Sequence, residues 1–287
     1  MNTTTSPTIA VLGTGLIGAP VARNLRQRGF VVRAWNRTPA KAQALKADGV
    51  EACTSPADAV RHAHIVMTVL NDGVSAQQAM QAAAPALRQG AIWLQLSTVG
   101  IDATNSLAAW ADQQGAVFYD APVQGTRQPA EMAQLIILAS GPVAQRERVQ
   151  PVFDAIGKRS LWVSEQPGAS SRLKLALNSW AFALTHGLAE SLLLAKGLGV
   201  DPALVVDVVT GGPMDSGYFQ AKAAAILADN YATSFSIANA AKDARLVMDA
   251  AAQSGVQLDA AQAGLQRFER ALAAGHGGKD MAASYLA

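Results

Sequence analysis

A short apolar run, TIAVL (residues 8–12), ends on a glycine-rich turn, GTGLIG, and a helical pattern starts at once, from Ile17 to Arg28. Gly13, Gly15 and Gly18 form GxGxxG, a pattern that carries information only between a strand and a helix, where it stands here. Gly13 then permits the tight turn, Gly15 lets backbone approach a pyrophosphate, and Gly18 lets the helix pack on the strand. The first turn of that helix offers free N–H groups and the positive end of a dipole to an anion. The spacing predicts the opening unit of a dinucleotide-binding sheet.

The chain continues in the same rhythm. FVVRAW (30–35), HIVMTVL (64–70), AIWLQLS (91–97) and AVFYD (116–120) are rich in β-branched and aromatic residues and are predicted strands. Helical stretches fall between them, near 39–47, 56–62, 75–88 and 101–114. Such alternation predicts an α/β fold with a doubly wound parallel sheet of the Rossmann kind. QLIILASG (134–141) and SLWVS (160–164) add two strands, with a helix at 142–156. Past Gly168 strand signals stop. One long helical pattern runs from Ser170 to Leu198, opening on GASS with serines available as caps. Further helices are predicted at 201–210, 215–229, 236–253 and 258–274. The expected organisation is a sheet domain over 1–166 and an all-helical C-terminal domain over 167–287. The glycine-rich end from Gly275 either frays or docks.

Composition excludes several classes. Half of the 287 residues are apolar, 15% are charged and the net charge is +2, so no nucleic-acid partner is expected. Cys53 is the single cysteine, which rules out an intrachain disulfide and makes a zinc cluster implausible. MNTTTSPT lacks a secretory pattern, and no stretch suits a membrane span. A cytoplasmic protein with no membrane partner is expected. The apolar, alanine-rich second half implies surface buried against another copy, a homodimer or homotetramer.

Two details point to chemistry. The second strand ends at Trp35–Asn36, where a carboxylate normally holds the ribose of NAD; Arg37 and Thr38 follow instead. Arg37 is either a solvated loop charge or the pair for a 2′-phosphate. The missing acid favours the second, hence NADP(H). Lys174 and Asn178 stand four residues apart on one face of the long helix, just past the domain boundary. A lysine on an otherwise apolar face is either functional or an edge residue with its amine in water. Taken alone, the spacing leaves both open.

Several segments together resemble the β-hydroxyacid dehydrogenase family, along nearly the whole chain. GTGLIGAPVARNL (13–25) is similar to the family's opening loop and NRT (36–38) to its NADP version. LSTVG (96–100) resembles the segment beside the nicotinamide, and DAPVQGT (120–126) the substrate-clamping loop. GASSRLKLALN (168–178) resembles the stretch with the catalytic lysine, and FSIANAAKDARL (235–246) the later Phe…Lys-Asp segment. QPAEMAQLIILASG (128–141) looks closest to the glyoxylate/succinic semialdehyde reductase branch. The resemblance implies Lys174 and Asn178 as catalytic residues. It implies a small-molecule substrate held by Thr98, Gln124, Gly125, Thr126, Phe235 and Asp243. It implies a cofactor held by Gly13, Thr14, Gly15, Leu16, Ile17, Gly18, Asn36, Arg37, Thr38, Val69, Leu70, Thr98 and Lys242. No metal is needed.

The chain departs from the family pattern at three places. Gln124 stands where Ser is usual, Ser170 where a second Gly is usual, and Leu177–Asn178 where a pair of asparagines is usual. These departures bear on the substrate. The expected function is hydride transfer between NADPH and a small semialdehyde or keto acid, with Lys174 as general acid/base. An imine reductase or reductive aminase and a non-catalytic NADP-binding protein are the alternatives. Lys174 argues against both, because such relatives usually lack it.

Overall fold

The computed structural model describes residues 7–287. The chain forms two compact units, the first running to Lys174 and the second from Leu175 to Ala287.

In the first unit the elements are β1 (Thr8–Leu12), α1 (Gly18–Gln27), β2 (Val31–Trp35), α2 (Pro39–Gln43), β3 (Glu51–Ala52), α3 (Pro56–Val60), β4 (Ile65–Thr68), α4 (Gly73–Ala83), β5 (Ile92–Gln95), α5 (Ile101–Gln113) and β6 (Val117–Asp120). Then come β7 (Val123–Gln124), α6 (Arg127–Glu131), β8 (Leu135–Ser140), α7 (Arg146–Ile156), β9 (Gly157–Ser164) and the start of α8 (Ala169–Gly197). The sheet order is β3-β2-β1-β4-β5-β6-β8-β7, with β9 paired to β8. Every pairing from β3 across to β6 is parallel, with Ile9 opposite Val32 on one side and Ile65 on the other.

The central strands are buried on both faces, as parallel strands covered by helices require, and are apolar except at their last residues, Thr68 and Gln95, whose side chains bond to each other. Val21 and Leu25 of α1 and Phe153 of α7 fill the core on one face. Met80, Trp93, Leu107 and Phe118 fill it on the other. Trp93 meets Phe118 and Trp110 edge-on, and its Nε1 donates to Thr68 Oγ1 at 2.9 Å. The chain leaves β1 toward β2 and β3, then returns to β4 on β1's other side. That reversal opens a crevice at the carboxyl ends of β1 and β4, where doubly wound sheets bind ligands.

The sheet differs from a uniformly parallel one at one edge. After Pro122 the chain runs on as β7 in the sense of β6, then reverses through α6 and returns as β8, which pairs antiparallel with β7, Gln124 opposite Ile136. β8 also runs antiparallel to β6, while β9 is parallel to β8. Two residues of β7 and five of α6 are too short to show a period in sequence.

The second unit holds the rest of α8, then α9 (Pro202–Val209), α10 (Gly217–Leu227), α11 (Ile237–Ser254), α12 (Asp259–Ala273) and a closing 3₁₀ turn, Met281–Leu286. Phe182, Leu192, Ile226, Ile237 and Phe268 build its core. Asp201, Ser216 and Ser236 cap α9, α10 and α11 by accepting from Ala203, Phe219 and Asn239 N–H groups. The glycine-rich end docks. Asp280 Oδ1 accepts from buried Lys222 Nζ at 2.6 Å, and Oδ2 from Ser234 Oγ at 2.6 Å. Burial alone raises the Asp280 carboxyl, but Lys222 and the hydrogen bonds outweigh it and hold it below the usual range. Among the described residues no helix is long and apolar enough to cross a membrane.

Candidate active site

The glycine loop sits at the carboxyl end of β1. Gly13 has φ +104°, and a Cβ there would run into the Val69 carbonyl oxygen; a Cβ at Gly18 would strike the Gly13 carbonyl oxygen. Gly15 faces open space within 4 Å. Two glycines thus allow close chain packing, and the third leaves room for a ligand. Val69 N donates to Leu12 O at 2.9 Å, and Leu70 N donates to Ser97 Oγ at 2.8 Å. Val69, Leu70 and the start of the 97–100 turn therefore border the loop, with Thr98 half-buried on that turn.

Asn36 ties the loop to the end of β2. Its Oδ1 accepts from Thr14 N at 3.0 Å, and its Nδ2 donates to Thr38 O at 3.1 Å. A carboxylate at 36 can do the first but not the second, because it has no donor. Arg37 and Thr38 are exposed, and neither side chain has a hydrogen-bond or ion-pair partner among the described residues. Thr14 Oγ1 is buried without a partner among the described residues. Leaving a buried hydroxyl unpaired costs about 1–3 kcal/mol, and a phosphate oxygen would satisfy it. Open space at Gly15, an orphaned hydroxyl at Thr14, and flanking Leu16 and Ile17 fit a dinucleotide.

Farther along the first unit, Lys174 lies on the second turn of α8. Its side chain is 8% exposed, and Nζ donates to Gln124 Oε1 at 2.9 Å. An ammonium only donates, so it fixes the Gln124 carboxamide with oxygen inward and Nε2 turned away. Gly125 follows with φ +135°, where an added Cβ would press on Leu135 and Pro129. Thr126 is half-buried at the start of α6.

The first turn of α8 is anchored by two strands. Asp120, fully buried at the end of β6, accepts at Oδ2 from Gly168 N (3.0 Å) and Ser171 N (2.8 Å), and at Oδ1 from Ser171 Oγ (2.7 Å). Ser140 Oγ of β8 accepts from Ser170 N at 3.1 Å and lies 2.7 Å from Ser170 Oγ. Thr104 Oγ1 lies 3.0 Å from Ser171 Oγ. Burial pushes the Asp120 carboxyl above its ordinary range, although the bonds from Ser171 and Gly168 and the charge of Arg172 pull it down. The serines of GASS do not act as caps, as their sequence suggested. They receive caps from Asp120 and Ser140, 51 and 30 residues away. Nothing in local spacing signals that network. The only hint is the acid that ends a strand and opens DAPVQGT.

The second unit brings together Asn178, Lys242 and Asp243. Asn178 Nδ2 donates to Asp243 Oδ2 at 3.0 Å, and Lys242 Nζ pairs with Asp243 Oδ1 at 2.5 Å. Asn178 and Asp243 are buried, and Lys242 is half-buried. Phe235 is half-buried against that unit's core, with its N–H held by Asp280 Oδ2 at 3.1 Å. Tyr218 keeps its hydroxyl inside the unit, 2.6 Å from Thr185 Oγ1, and burial raises it to about 12. Along α8 itself, Asn178 follows Lys174 by one turn.

A Rossmann-type sheet with an intact glycine loop, followed by a helical unit, defines a nicotinamide-dependent oxidoreductase. Comparison with known proteins agrees. A profile described as the NAD binding domain of 6-phosphogluconate dehydrogenase matches residues 8–164, and one described as NAD-binding of NADP-dependent 3-hydroxyisobutyrate dehydrogenase matches residues 168–287. Glyoxylate/succinic semialdehyde reductase 1 of Arabidopsis thaliana is 30% identical over 278 residues, covering 96% of either chain. A 3-hydroxyisobutyrate dehydrogenase structure from Mycobacterium tuberculosis, with L-serine, superposes at a TM-score of 0.87, with 27% identity and 98% of each chain covered. An imine reductase from a Pseudomonas species shares the fold at a TM-score of 0.65 and 23% identity, covering 98% of this chain and 99% of that one. The chain belongs to the β-hydroxyacid dehydrogenase family, and it is an NAD(P)-dependent dehydrogenase or reductase acting on hydroxyl and carbonyl groups.

Proposed function

We propose that this protein is an NADP(H)-dependent reductase of small semialdehydes or keto acids, with Lys174 as the proton donor to the carbonyl oxygen. The observation that carries the reading is a lysine almost wholly removed from solvent with its ammonium on the Gln124 carboxamide. Gln124 accepts from the ammonium without bringing a charge of its own, and a protonated lysine can pass its proton to an oxygen that turns alkoxide-like. When bound, the nicotinamide supplies or takes up the hydride. Gln124 Nε2 and the backbone of Gly125 and Thr126 are donors suited to a substrate carboxylate, and Thr98 completes that set. Asn178, with Asp243 and Lys242, serves as the second polar group on the α8 face. In the oxidative direction Lys174 takes the proton from the β-hydroxyl. Acceptance of short semialdehydes or keto acids, with none of cyclic imines, supports the reading; the reverse pattern makes the protein an imine reductase. Lys174→Ala should lower turnover on the order of 10³-fold while leaving NADPH binding intact. Unchanged turnover in that variant overturns the mechanism.

NADP(H) is favoured over NAD(H) by Asn36, which leaves no carboxylate to repel a 2′-phosphate, and by the exposed Arg37 and Thr38. A charge-assisted bond from Arg37 is worth about 1.5–3 kcal/mol. Arg37→Ala should therefore raise the Michaelis constant for NADPH about 10- to 100-fold, with little change for NADH. Equal changes for both coenzymes would make Arg37 a bystander.

The working form is a homodimer or a homotetramer built from dimers. Trp180, Leu184, Gly187, Ser191 and Leu194 along α8, and Leu198 just past its end, repeat at alternating steps of four and three residues, and all six are exposed. Such a repeat is the seam that two helices bury against each other.

A further inference from the structure

We propose that Asp120 is a positioning residue for the reaction: by capping the first turn of α8 from β6, it sets Lys174 against Gln124. The proposal rests on the reading of Lys174 as proton donor.

The geometry is a closed ring. Asp120 and Gln124 lie on one short segment, and Ser171 and Lys174 lie on one helical turn. Asp120 holds Ser171 at both N and Oγ, and Lys174 holds Gln124 at 2.9 Å. A shift of α8 along or away from β6 must therefore break the lysine's bond to the carboxamide. The helix has no cap of its own to prevent that shift. Its N–H groups at 168 and 171 go to Asp120, and that at 170 goes to Ser140.

The burial of this cap sets it apart. Asp201 caps α9 with a carboxylate in solvent, which secures a helix end at little cost. Asp120 performs a similar task with no exposure at all, and burying a carboxylate is expensive unless it is fully bonded. A surface cap would stabilise α8 as well. A buried one, rooted in a central strand, also fixes where the helix starts. Thr104 lies beside this tie: its Oγ1 is 3.0 Å from Ser171 Oγ and 2.7 Å from Gly100 O, and its single proton serves one of the two while the Ser171 proton goes to Asp120.

An asparagine can replace the geometry without the charge. Its oxygen still accepts from the N–H groups of Gly168 and Ser171. Its NH₂ donates to Ser171 Oγ, whose own proton then passes to Thr104 Oγ1. An alanine removes all three bonds.

The test uses Asp120→Asn, Asp120→Ala and Ser171→Ala in the full chain, in the wild-type and the Lys174→Ala backgrounds. Turnover is measured with NADPH and glyoxylate or succinic semialdehyde, whichever the wild type reduces, and NADPH binding by fluorescence. Misplacement by about 1 Å costs on the order of 100-fold in rate. Asp120→Ala should lower kcat about 30- to 100-fold with NADPH affinity unchanged, Ser171→Ala about 5-fold, and Asp120→Asn less than about 3-fold. In the Lys174→Ala background Asp120→Ala should change nothing further. The proposal is overturned by unchanged kcat in folded Asp120→Ala or by Asp120→Asn as inactive as Asp120→Ala. An additional loss on top of Lys174→Ala overturns it equally. If Asp120→Ala fails to fold, Asp120→Asn and Ser171→Ala decide: near-wild-type rate in the first and a several-fold loss in the second support it, and any other pair overturns it. Wild-type turnover in Lys174→Ala alone is a separate result, because it removes the lysine mechanism whatever Asp120 does.

Discussion

The two ends of α8 obey different physics. Its first turns are polar and buried: Ser170, Ser171, Lys174 and Asn178 all lie out of solvent and all find side-chain hydrogen bonds. Its later turns are amphipathic. One face, with Phe182, Leu188 and Leu192, packs into the core of the second unit. The other leaves Trp180 65%, Leu194 64% and Leu198 71% exposed. Polar bonds are directional, so they suit a place where a side chain must be held within tenths of an ångström. Apolar packing is non-directional and scales with area, so it suits assembly. On the proposed reading one helix spans both tasks, with chemistry at its polar end and association along its exposed stripe.

Changes at the polar end should be felt most. General acid/base groups contribute about 10²- to 10⁴-fold, so Lys174→Ala should cost on the order of 10³-fold in kcat with α-helical content and oligomeric state unchanged. Steady-state kinetics with sedimentation of the same sample checks both halves of that statement. A variant that loses its rate only because it dissociates would erase the distinction between the two ends.

The exposed stripe gives the next effect. Leu194→Glu with Leu198→Glu would place two carboxylates at the C-terminal end of the proposed copy-to-copy seam. Burying each without a partner costs about 2 kcal/mol or more, so the dimer should weaken at least about 100-fold. Sedimentation at micromolar concentration should then show monomer, with the isolated fold intact by circular dichroism. A wild-type chain that already sediments as a monomer removes the stripe's role.

This contrast also explains what could be read ahead of the structure. Patterns confined to one element were legible. The glycine turn after TIAVL needed only Gly13, Gly15 and Gly18, and the long helix, expected over 170–198, spans Ala169–Gly197. The i, i+4 spacing of Lys174 and Asn178 likewise follows from helix geometry. Contacts between distant segments were not legible. Asp120 meets Ser171 across 51 residues and Lys222 meets Asp280 across 58, and neither pair has a periodicity to reveal it. The short strand β7, on which β8 pairs antiparallel, was hidden for a different reason, since two residues after a proline carry no pattern.

The smallest effect is a change of slope with pH, and it belongs to the buried face of the later turns. His186 lies there, 7% exposed, its ring 4.4 Å from that of Phe268 and beneath Gly264, where a Cβ would overlap the imidazole. Both ring nitrogens lack a partner among the described residues. Burial first, then the charges of Arg267 and Arg270, lower it from 6.5 to about 4. The unfolded chain therefore takes up this proton near pH 6.5 and the folded one only near pH 4, so the unfolded state binds more protons in between. Stability should fall as pH drops through that window, by roughly 2 kcal/mol between pH 7 and pH 5 at about 1.4 kcal/mol per unit. His186→Gln removes the titration, so denaturant unfolding at the two pH values should show a smaller difference than in the wild type. Because the ring sits on the packed face, turnover at pH 7 should change little, in contrast to any change one helix end away. An equal pH difference in both proteins would mean that the histidine is charged, or reaches solvent, in the folded state.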